Sequence, residues 1–248
     1  MSNASDIKAR RFVTDPDDMA SILKGVVIEK HAPGKHDQKT HAGGRGGSGS
    51  GESSLSQGAI IDIMNQQRTP EFLGKISDDE MLAIQDYQSG SGAYGAVNLA
   101  LREGDDRLFS SEKATADRII PRLDSVIADA PPLKEEMTTY RGIWGAEETA
   151  TFTSMKPGDT FTDLGFTSTS MNRRIAENFA RSDKANAGVV LEIVNPKGSK
   201  GIFPLAIRTE MTPQYVFDLS ENEWLIPRGS AFRVLSVTGK DIKVEVVG

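Results

Sequence analysis

The sequence predicts an α+β fold, because helical patterns fill one part of the chain and strand patterns fill the next. Between residues 58 and 135, apolar side chains recur every three or four positions. From residue 136 onwards, short runs of β-branched and aromatic residues alternate with turn residues. We therefore divide the chain into an extension over 1–57, a helical lobe over 58–135 and a β core over 136–248, the last two forming one domain.

Composition excludes several classes of protein. The 248 residues carry 29 Lys and Arg against 35 Asp and Glu, and the resulting net charge of −6 has the wrong sign for a general nucleic-acid binder. Cysteine is absent, which rules out disulfides, zinc-thiolate sites and a cysteine nucleophile. The start, MSNASDIKARRF, lacks the apolar stretch of a signal peptide, and no apolar run approaches the ~20 residues that span a bilayer. We expect neither ordinary secretion nor a membrane contact.

The extension over 1–57 is predicted to be disordered or flexible. It holds three short apolar clusters, one of them Val26-Val27-Ile28, and continues as KHAPGKHDQKTHAGGRGGSGSGESS. This glycine and serine content is typical of a flexible linker. The three histidines, His31, His36 and His41, share no helix face at their five-residue spacing, so a solvated linker is favoured over a metal site.

The helical lobe is built from four predicted segments. The first places apolar residues on one face, namely Ala59, Ile60, Ile63 and Met64. A capping-box pattern from Ser77 to Glu80 opens the second segment, and the third runs over Tyr94–Arg102. In the fourth, Pro121 predicts a new helix or a kink, because proline lacks the backbone donor that a helix interior needs.

The β core is predicted from seven short runs. They are TTYRGI (138–143), GFTSTS (165–170), GVVLEIV (188–194), GIFPL (201–205), NEWLIP (222–227), AFRVLSVT (231–238) and DIKVEVV (241–247). One helix, Asn172–Arg181, interrupts these strands, with Ile175, Ala176 and Phe179 facing inward.

Arg141 is the first candidate functional residue. It lies on a predicted strand and precedes a glycine, and burying an arginine there is costly without an anionic partner. Its planar guanidinium suits bidentate binding of phosphate. The alternative is an arginine on a solvated strand face.

Two further motifs follow in the β core. Ser168 and Ser170 alternate along a strand and could line a cleft together, although Ser170 could instead cap the next helix. Glu221 and Glu223 are also expected to share a face, and their mutual repulsion suggests a function unless that face is solvent-exposed. Because every histidine lies in the extension, a Ser-His-Asp triad is disfavoured, and no phosphate-binding glycine loop follows a strand.

The order of these motifs resembles the Arg–Ser–Glu signature of mono-ADP-ribosyltransferases, in the bacterial exoenzyme branch that includes the clostridial actin-modifying toxins. The likeness extends to DEMLAIQDYQSGSGAYGAVNLALREG (79–104), LDSVIADAPPLKEEMTTYRG (123–142) and ENEWLIPRGSAFRV (221–234), and covers roughly 58–248. It implies a fold of two small sheets packed as a cleft, with helices on one side, that binds NAD+ as a co-substrate and needs no metal.

The resemblance also implies roles for the residues around NAD+. Arg141 would hold its phosphates, and the backbone of Gly142 would recognise the nicotinamide amide. Phe179 would stack on the nicotinamide, or else it is a core residue of its helix. Asn98 matches an asparagine near the adenine-side phosphate.

Further implied roles concern catalysis and the target. Glu223 matches the family's catalytic glutamate, which stabilises the positive charge that develops on the ribose, and Ser168 would orient it. Glu221 would activate an acceptor guanidinium, which is the family's mark of transfer to arginine. Tyr215 and Phe217 are candidates for target recognition, with strand packing as the alternative.

The resemblance predicts transfer of ADP-ribose from NAD+ to an arginine of a host protein. The alternatives are an NAD+ glycohydrolase and a non-catalytic phage structural module. The segment HDQKTH lies in a stretch that resembles tailed-phage head proteins, so we expect a phage-encoded enzyme in the bacterial cytoplasm or in the virion. We also expect the enzyme to be a monomer. Nucleic acid is not favoured as the acceptor.

Overall fold

A computed structural model describes residues 26–29, 57–89, 92–181, 188–211 and 222–247. Its helical lobe consists of α1 (Gln57–Asn65), α2 (Pro70–Leu73), α3 (Asp78–Tyr87), α4 (Ala93–Glu103) and α5 (Ser110–Asp129), with a 3₁₀ turn at Asp105–Arg107. The strands are β1 (Val26–Glu29), β2 (Met137–Ile143), β3 (Thr160–Asp163), β4 (Thr167–Ser170), β5 (Val189–Asn195), β6 (Glu223–Ile226), β7 (Ser230–Thr238) and β8 (Asp241–Val247). Between strands lie α6 (Ala146–Ser154), α7 (Arg173–Ala180) and α8 (Pro204–Met211). The predicted α+β fold class is confirmed.

The predicted start of α3 is confirmed in atomic detail. The backbone N–H of Glu80 donates to Ser77 Oγ at 3.3 Å, and the N–H of Ser77 donates to Glu80 Oε2 at 2.9 Å. These reciprocal bonds satisfy two donors that a helix start leaves without partners.

Pro121 does not begin a new helix. It lies inside α5, which continues without interruption over 20 residues. Proline costs this helix one backbone hydrogen bond, but Ile119 and Leu123 on its apolar face are completely buried. Burial of that face stabilises the continuous helix, since helices in proteins are held mainly by tertiary packing.

The described strands form one sheet in the order β1-β3-β7-β8-β5-β2-β4-β6, whereas two sheets were expected. Strand β2 pairs with β5 from Met137 to Ile143 but joins β4 through one residue pair, Tyr140 and Ser170. Among the described residues, this pair is the backbone pairing that joins β4 and β6 to the rest of the sheet.

Several elements were missed or wrongly assigned by the sequence pattern. Strand β3 and helices α6 and α8 were not predicted, and GIFPL (201–205) is not a strand. Pro204 is the first residue of α8, where its missing N–H is not needed. Ile202 forms only an isolated bridge to Leu225.

Residues 26–29 form strand β1, inside the extension that was predicted to be disordered. Val26 to Glu29 pair antiparallel with Asp163 to Thr160 of β3, at the edge of the sheet. The β-branched residues of this cluster suit an edge strand, which corrects the prediction at this point. Apart from Gln57 at the start of α1, the rest of the predicted extension lies outside the described residues.

The lobe and the β core share their hydrophobic packing. One apolar cluster joins the helices to Phe166, Ile202 and Leu225 of the β core, and Phe166 and Leu225 are completely buried. The walls of any cleft between the two parts are therefore held by a common core. Within the described ranges, no helix could span a bilayer and no group of three metal-ligand side chains occurs.

Candidate active site

The sheet topology brings Arg141, Ser168 and Glu223 onto three neighbouring strands. They lie on β2, β4 and β6, which are adjacent in the sheet. Backbone pairing of Tyr140 with Ser170, and of Ser170 with Glu223, sets the register of all three strands at one level. Residues that are 27 and 55 positions apart are therefore brought into hydrogen-bonding contact.

The Glu223 carboxylate is the centre of this site. It is buried, with a relative exposure of 7%. Ser168 Oγ donates a hydrogen bond to Glu223 Oε1, and Gln88 Nε2 donates to Glu223 Oε2 at 2.7 Å. The two oxygens therefore accept hydrogen bonds from different parts of the fold, β4 and the end of α3. A carboxylate oxygen can accept more than one hydrogen bond.

Asn222 directly precedes Glu223, the first residue of β6. Its φ of 37° makes it the one residue other than glycine with a positive φ in the described part of the chain. Asparagine tolerates this left-handed region better than most residues, and such conformations are concentrated at functional sites. The carbonyl of Asn222 accepts a hydrogen bond from the N–H of Met171 at 3.2 Å.

The predicted shared face of Glu221 and Glu223 stays a prediction, because the described part of this segment begins at Asn222 and strand β6 begins at Glu223. Glu221 lies outside the described residues, as do Tyr215 and Phe217.

Arg141 extends from β2 to the neighbouring strand β4. Its guanidinium Nη1 donates to the carbonyl of Ser168 at 3.2 Å, and the side chain is half-buried. Burial lowers the pKa of Arg141, Arg102 lowers it further, and Asp163, Tyr87 and Glu223 act in the opposite direction. Among the described residues no carboxylate lies within ion-pair distance of Arg141, so its charge suits a bound anion.

Gly142 is required by the packing of α7 on β2. A side chain there would place its Cβ 1.9 Å from the carbonyl oxygen of Ala176 and 2.8 Å from Cβ of Phe179. This packing explains the glycine without the predicted nicotinamide contact, which stays a prediction. Phe179 and Ile175 are half-buried rather than enclosed in the core, as a stacking role for Phe179 would require.

Asn98 has a structural role that its sequence motif did not indicate. It is buried, its Nδ2 donates to the Tyr87 hydroxyl at 3.0 Å, and its Oδ1 accepts from the N–H of Phe166 at 2.9 Å. These bonds connect α4 to α3 and to the residue before β4. Both ends of the amide are used within the protein, and the predicted contact with NAD+ stays a prediction.

A second polar cluster, which we call the Asp163 cluster, lies behind β4. Arg102 Nε and Nη2 donate to the two Asp163 carboxylate oxygens at 2.9 and 3.0 Å. The N–H of Gly165 and the Thr167 hydroxyl also donate to Asp163, each at 2.9 Å. Burial alone would raise the pKa of Asp163, but the charges of Arg102 and Arg141 outweigh it and hold the pKa below its ordinary value.

Three residues of the site were not found from the sequence. Gln88 donates to Glu223, and Arg208 Nη1 donates to Gln88 Oε1 at 2.9 Å. Tyr87 is buried, and burial together with the negative charge of Glu223 raises its pKa. Gln88 and Arg208 are 135 and 15 positions from Glu223, and no local motif marks either of them.

Comparison with known proteins identifies relatives of this chain. Residues 63–246 match the model of a family described as ADP-ribosyltransferase exoenzyme. The NAD(+)–arginine ADP-ribosyltransferase EFV of Enterococcus faecalis is 29% identical over 158 residues, which are 63% of this chain and 30% of that relative. The chain therefore spans about a third of the length of this relative.

Solved structures support the same fold. The Vis toxin, an ADP-ribosyltransferase from Vibrio splendidus, aligns with a TM-score of 0.55 and 22% identity over 78% of this chain and 87% of Vis. A second Vis structure, in complex with agmatine, aligns with a TM-score of 0.54 and 20% identity over 78% of this chain and 87% of that one. BECa, an ADP-ribosylating toxin of C. perfringens solved with NADH, aligns at 0.53 and 18% over 75% of this chain and 47% of BECa.

Proposed function

The chain belongs to the ADP-ribosyltransferase exoenzyme family, and on that premise we propose that it transfers ADP-ribose from NAD+ to an arginine side chain of a protein. The observation that carries the proposal is the Glu223 carboxylate. It is buried and held at both oxygens, and it lies on the strand next to the one that carries Ser168. A fixed carboxylate in such a place stabilises positive charge without having to reorient during the reaction.

The proposed reaction breaks one bond and forms another at the same ribose carbon. The bond between that carbon and nicotinamide breaks, and nicotinamide leaves with the electron pair. Glu223 accepts a hydrogen bond from the ribose 2′-OH and so stabilises the positive charge on the ring. A guanidinium nitrogen of the acceptor then bonds to the carbon and releases one proton, which Glu221 accepts in this proposal.

Arg141 is the residue we assign to the phosphates of NAD+. Its guanidinium is anchored at the Ser168 carbonyl, and no carboxylate among the described residues pairs with it. The planar donor fork of an arginine fits a phosphate, and the local low dielectric strengthens the attraction. Phe179, half-buried beside Gly142, is the aromatic side chain available for stacking on nicotinamide.

The arginine acceptor is supported by the relatives and by the sequence motif. The name of EFV specifies transfer to arginine, and agmatine in the Vis structure carries a guanidinium group. In this chain Glu221 precedes Glu223 by two residues, at the position of the predicted acceptor-activating glutamate. The phage origin inferred from HDQKTH is a further part of this proposal.

The test is incubation of the full chain with labelled NAD+ and bacterial lysate, followed by separation of the proteins. We expect discrete labelled bands whose label is released by neutral hydroxylamine, as for an arginine linkage. Glu223→Gln should lower both labelling and nicotinamide release by about 10²–10³. Glu221→Gln should abolish labelling but leave nicotinamide release.

Other outcomes would contradict particular parts of the proposal. Nicotinamide release with no label on protein, and none on agmatine supplied as an alternative acceptor, would indicate an NAD+ glycohydrolase. Full activity in Glu223→Gln would reject the assignment of the catalytic carboxylate. Absence of any NAD+ turnover by the folded protein would reject the enzymatic function.

A further inference from the structure

A glutamine outside the predicted motifs bonds directly to the proposed catalytic carboxylate. Gln88 follows the last residue of α3, and its Nε2 donates to Glu223 Oε2 at 2.7 Å. Its other end is also engaged, because Arg208 Nη1 of α8 donates to Gln88 Oε1 at 2.9 Å. Both bonds join parts of the chain that are more than 100 residues apart, so the fold and not local sequence creates them.

The two partners of Gln88 determine which way its amide faces. The oxygen and nitrogen of a glutamine amide are nearly the same size, so packing alone does not select an orientation. Arg208 can only donate, so it requires the amide oxygen, and this directs the amide nitrogen towards Glu223. With the amide reversed, two oxygens would face each other and the carboxylate would be repelled.

Gln88 therefore limits rotation of the Glu223 carboxylate. The last side-chain torsion of a glutamate is soft and has broad minima. Ser168 bonds Oε1 and Gln88 bonds Oε2, so the bond from Gln88 opposes rotation of the carboxylate about the bond from Ser168. A carboxylate that acts on developing charge is most effective when its orientation is fixed before the reaction begins.

We propose that Gln88 and Arg208 form a positioning pair that fixes the orientation of the Glu223 carboxylate for the transfer reaction. Gln88 bonds the carboxylate, and Arg208 acts through Gln88 by fixing the orientation of its amide. The inference rests on the proposed function of Glu223, but the hydrogen bonds it invokes can be measured without any enzymatic activity.

Four variants of the full chain test the pair. Gln88→Met keeps the length of the side chain and removes the amide, whereas Gln88→Glu keeps an acceptor for Arg208 and places a second carboxylate against Glu223. Arg208→Met removes the group that orients the amide, and the fourth variant combines Gln88→Met with Arg208→Met. The matched control is Gln67→Met, since Gln67 also bonds at both ends, to the carbonyl of Gly201 and the N–H of Phe203, each at 2.7 Å.

The kinetic readout is kcat and KM for nicotinamide release. Gln88→Met should lower kcat at least about tenfold with little change in KM for NAD+, because a hydrogen bond to a charged group is lost. Gln88→Glu should lower kcat further, although it is the closest match in shape. The double variant should be no worse than Gln88→Met alone, because Arg208 acts through Gln88. Gln67→Met should lower the melting temperature and leave kcat of the folded protein unchanged.

Any one of three kinetic results would overturn the proposal that Gln88 and Arg208 act as a positioning pair. The first is kcat within twofold of the parent in Gln88→Met, and the second is a Gln88→Glu variant more active than Gln88→Met. The third is additive losses in the double variant, which would give Arg208 an independent role.

A measurement without NAD+ separates failure of this inference from failure of the proposed function. The side-chain amide of Gln88 should give a slowly exchanging NMR signal that moves in both Glu223→Ala and Arg208→Met. If that signal behaves as expected but the parent protein does not turn over NAD+, the pair exists and the proposed function is wrong. If the signal exchanges rapidly and neither variant moves it, the pair is rejected whatever the activity.

Discussion

Strand β4 separates two buried carboxylates that the fold treats differently. Thr167 donates to Asp163 on one side of the strand, and the next residue, Ser168, donates to Glu223 on the other. Asp163 is neutralised by a bidentate arginine, Arg102, at 2.9 and 3.0 Å. Glu223 accepts hydrogen bonds from two neutral groups, the Ser168 hydroxyl and the Gln88 amide.

Asp163 and Glu223 carry the same chemical group, a carboxylate, and the donors that bond it suit each one to a different role. A carboxylate bonded to a buried arginine has its charge balanced inside the fold, and breaking such a pair is costly. A hydrogen bond from a neutral donor orients a carboxylate without cancelling its charge, which suits a group that stabilises a cation formed during a reaction. The Asp163 cluster should therefore govern stability, whereas the Glu223 site should govern turnover.

The largest expected effect comes from removing Arg102, whose side chain is almost completely buried. Arg102→Met leaves Asp163 charged and buried without its partner, which should lower the free energy of unfolding by about 3–5 kcal/mol. Denaturant titration followed by circular dichroism measures this loss. Because the pKa of Asp163 is held below its ordinary value, its contribution is present above the unfolded pKa and is lost as pH falls through the folded pKa.

The control for this loss is the matched measurement in strong acid. The difference between the parent and Arg102→Met should shrink below the ordinary aspartate pKa, where Asp163 is protonated in the unfolded chain. A constant difference across the acid range would show that the arginine acts through packing and not through its charge.

The second test, with a smaller expected effect, substitutes two adjacent residues of β4. Thr167→Val removes a hydroxyl from Asp163 and should cost about 1.5–3 kcal/mol of stability, with kcat of the folded protein unchanged. Ser168→Ala removes a hydroxyl from Glu223 and should lower kcat at least about tenfold, with little change in melting temperature. Equal effects of both variants on both quantities would remove the distinction between the two faces.

The sequence predicts one face of β4 better than the other. Arg141, Ser168 and Glu223 were identified from motifs, because each motif is short and occupies one strand. Arg102 and Asp163 carry no such motif, and β3, which contains Asp163, was not predicted as a strand at all. Their pairing depends on α4 meeting β3 across 61 positions, which no local pattern records.

The same limit explains other differences between prediction and structure. Burial of Ile119 and Leu123 kept α5 continuous through Pro121, and that burial depends on helices elsewhere in the lobe. Gln88 lies in DYQSG, where it is an ordinary residue at a helix end, and only the packing of β6 brings it to Glu223. Fold class and motifs were thus accessible from the sequence, while the partners of each charge were not.

A third test concerns the backbone that leads into the Glu223 site. Asn222→Val places a β-branched residue at a φ of 37° and should cost about 1–2 kcal/mol of stability, because such residues rarely adopt this conformation. Asn222→Gly should restore stability, since glycine adopts positive φ without steric cost. Thermal unfolding and kcat measured together would show whether the conformation of Asn222 also determines the position of the Glu223 carboxylate. If Val and Gly are equally stable, the left-handed turn carries no strain.

The smallest expected effect comes from Glu148, a buried carboxylate outside both sites, with a relative exposure of 6%. Burial raises its pKa, and the adjacent charge of Glu147 adds to the increase. A raised pKa stabilises the fold below the unfolded pKa, and this contribution is lost as pH rises through the folded pKa. Glu148→Gln should therefore gain less than about 1 kcal/mol over the parent at pH 7 and nothing at pH 4. Melting temperatures at both pH values measure this difference, and a loss of stability at pH 7 would mean that a buried carboxylate without a paired arginine is not a cost to this fold.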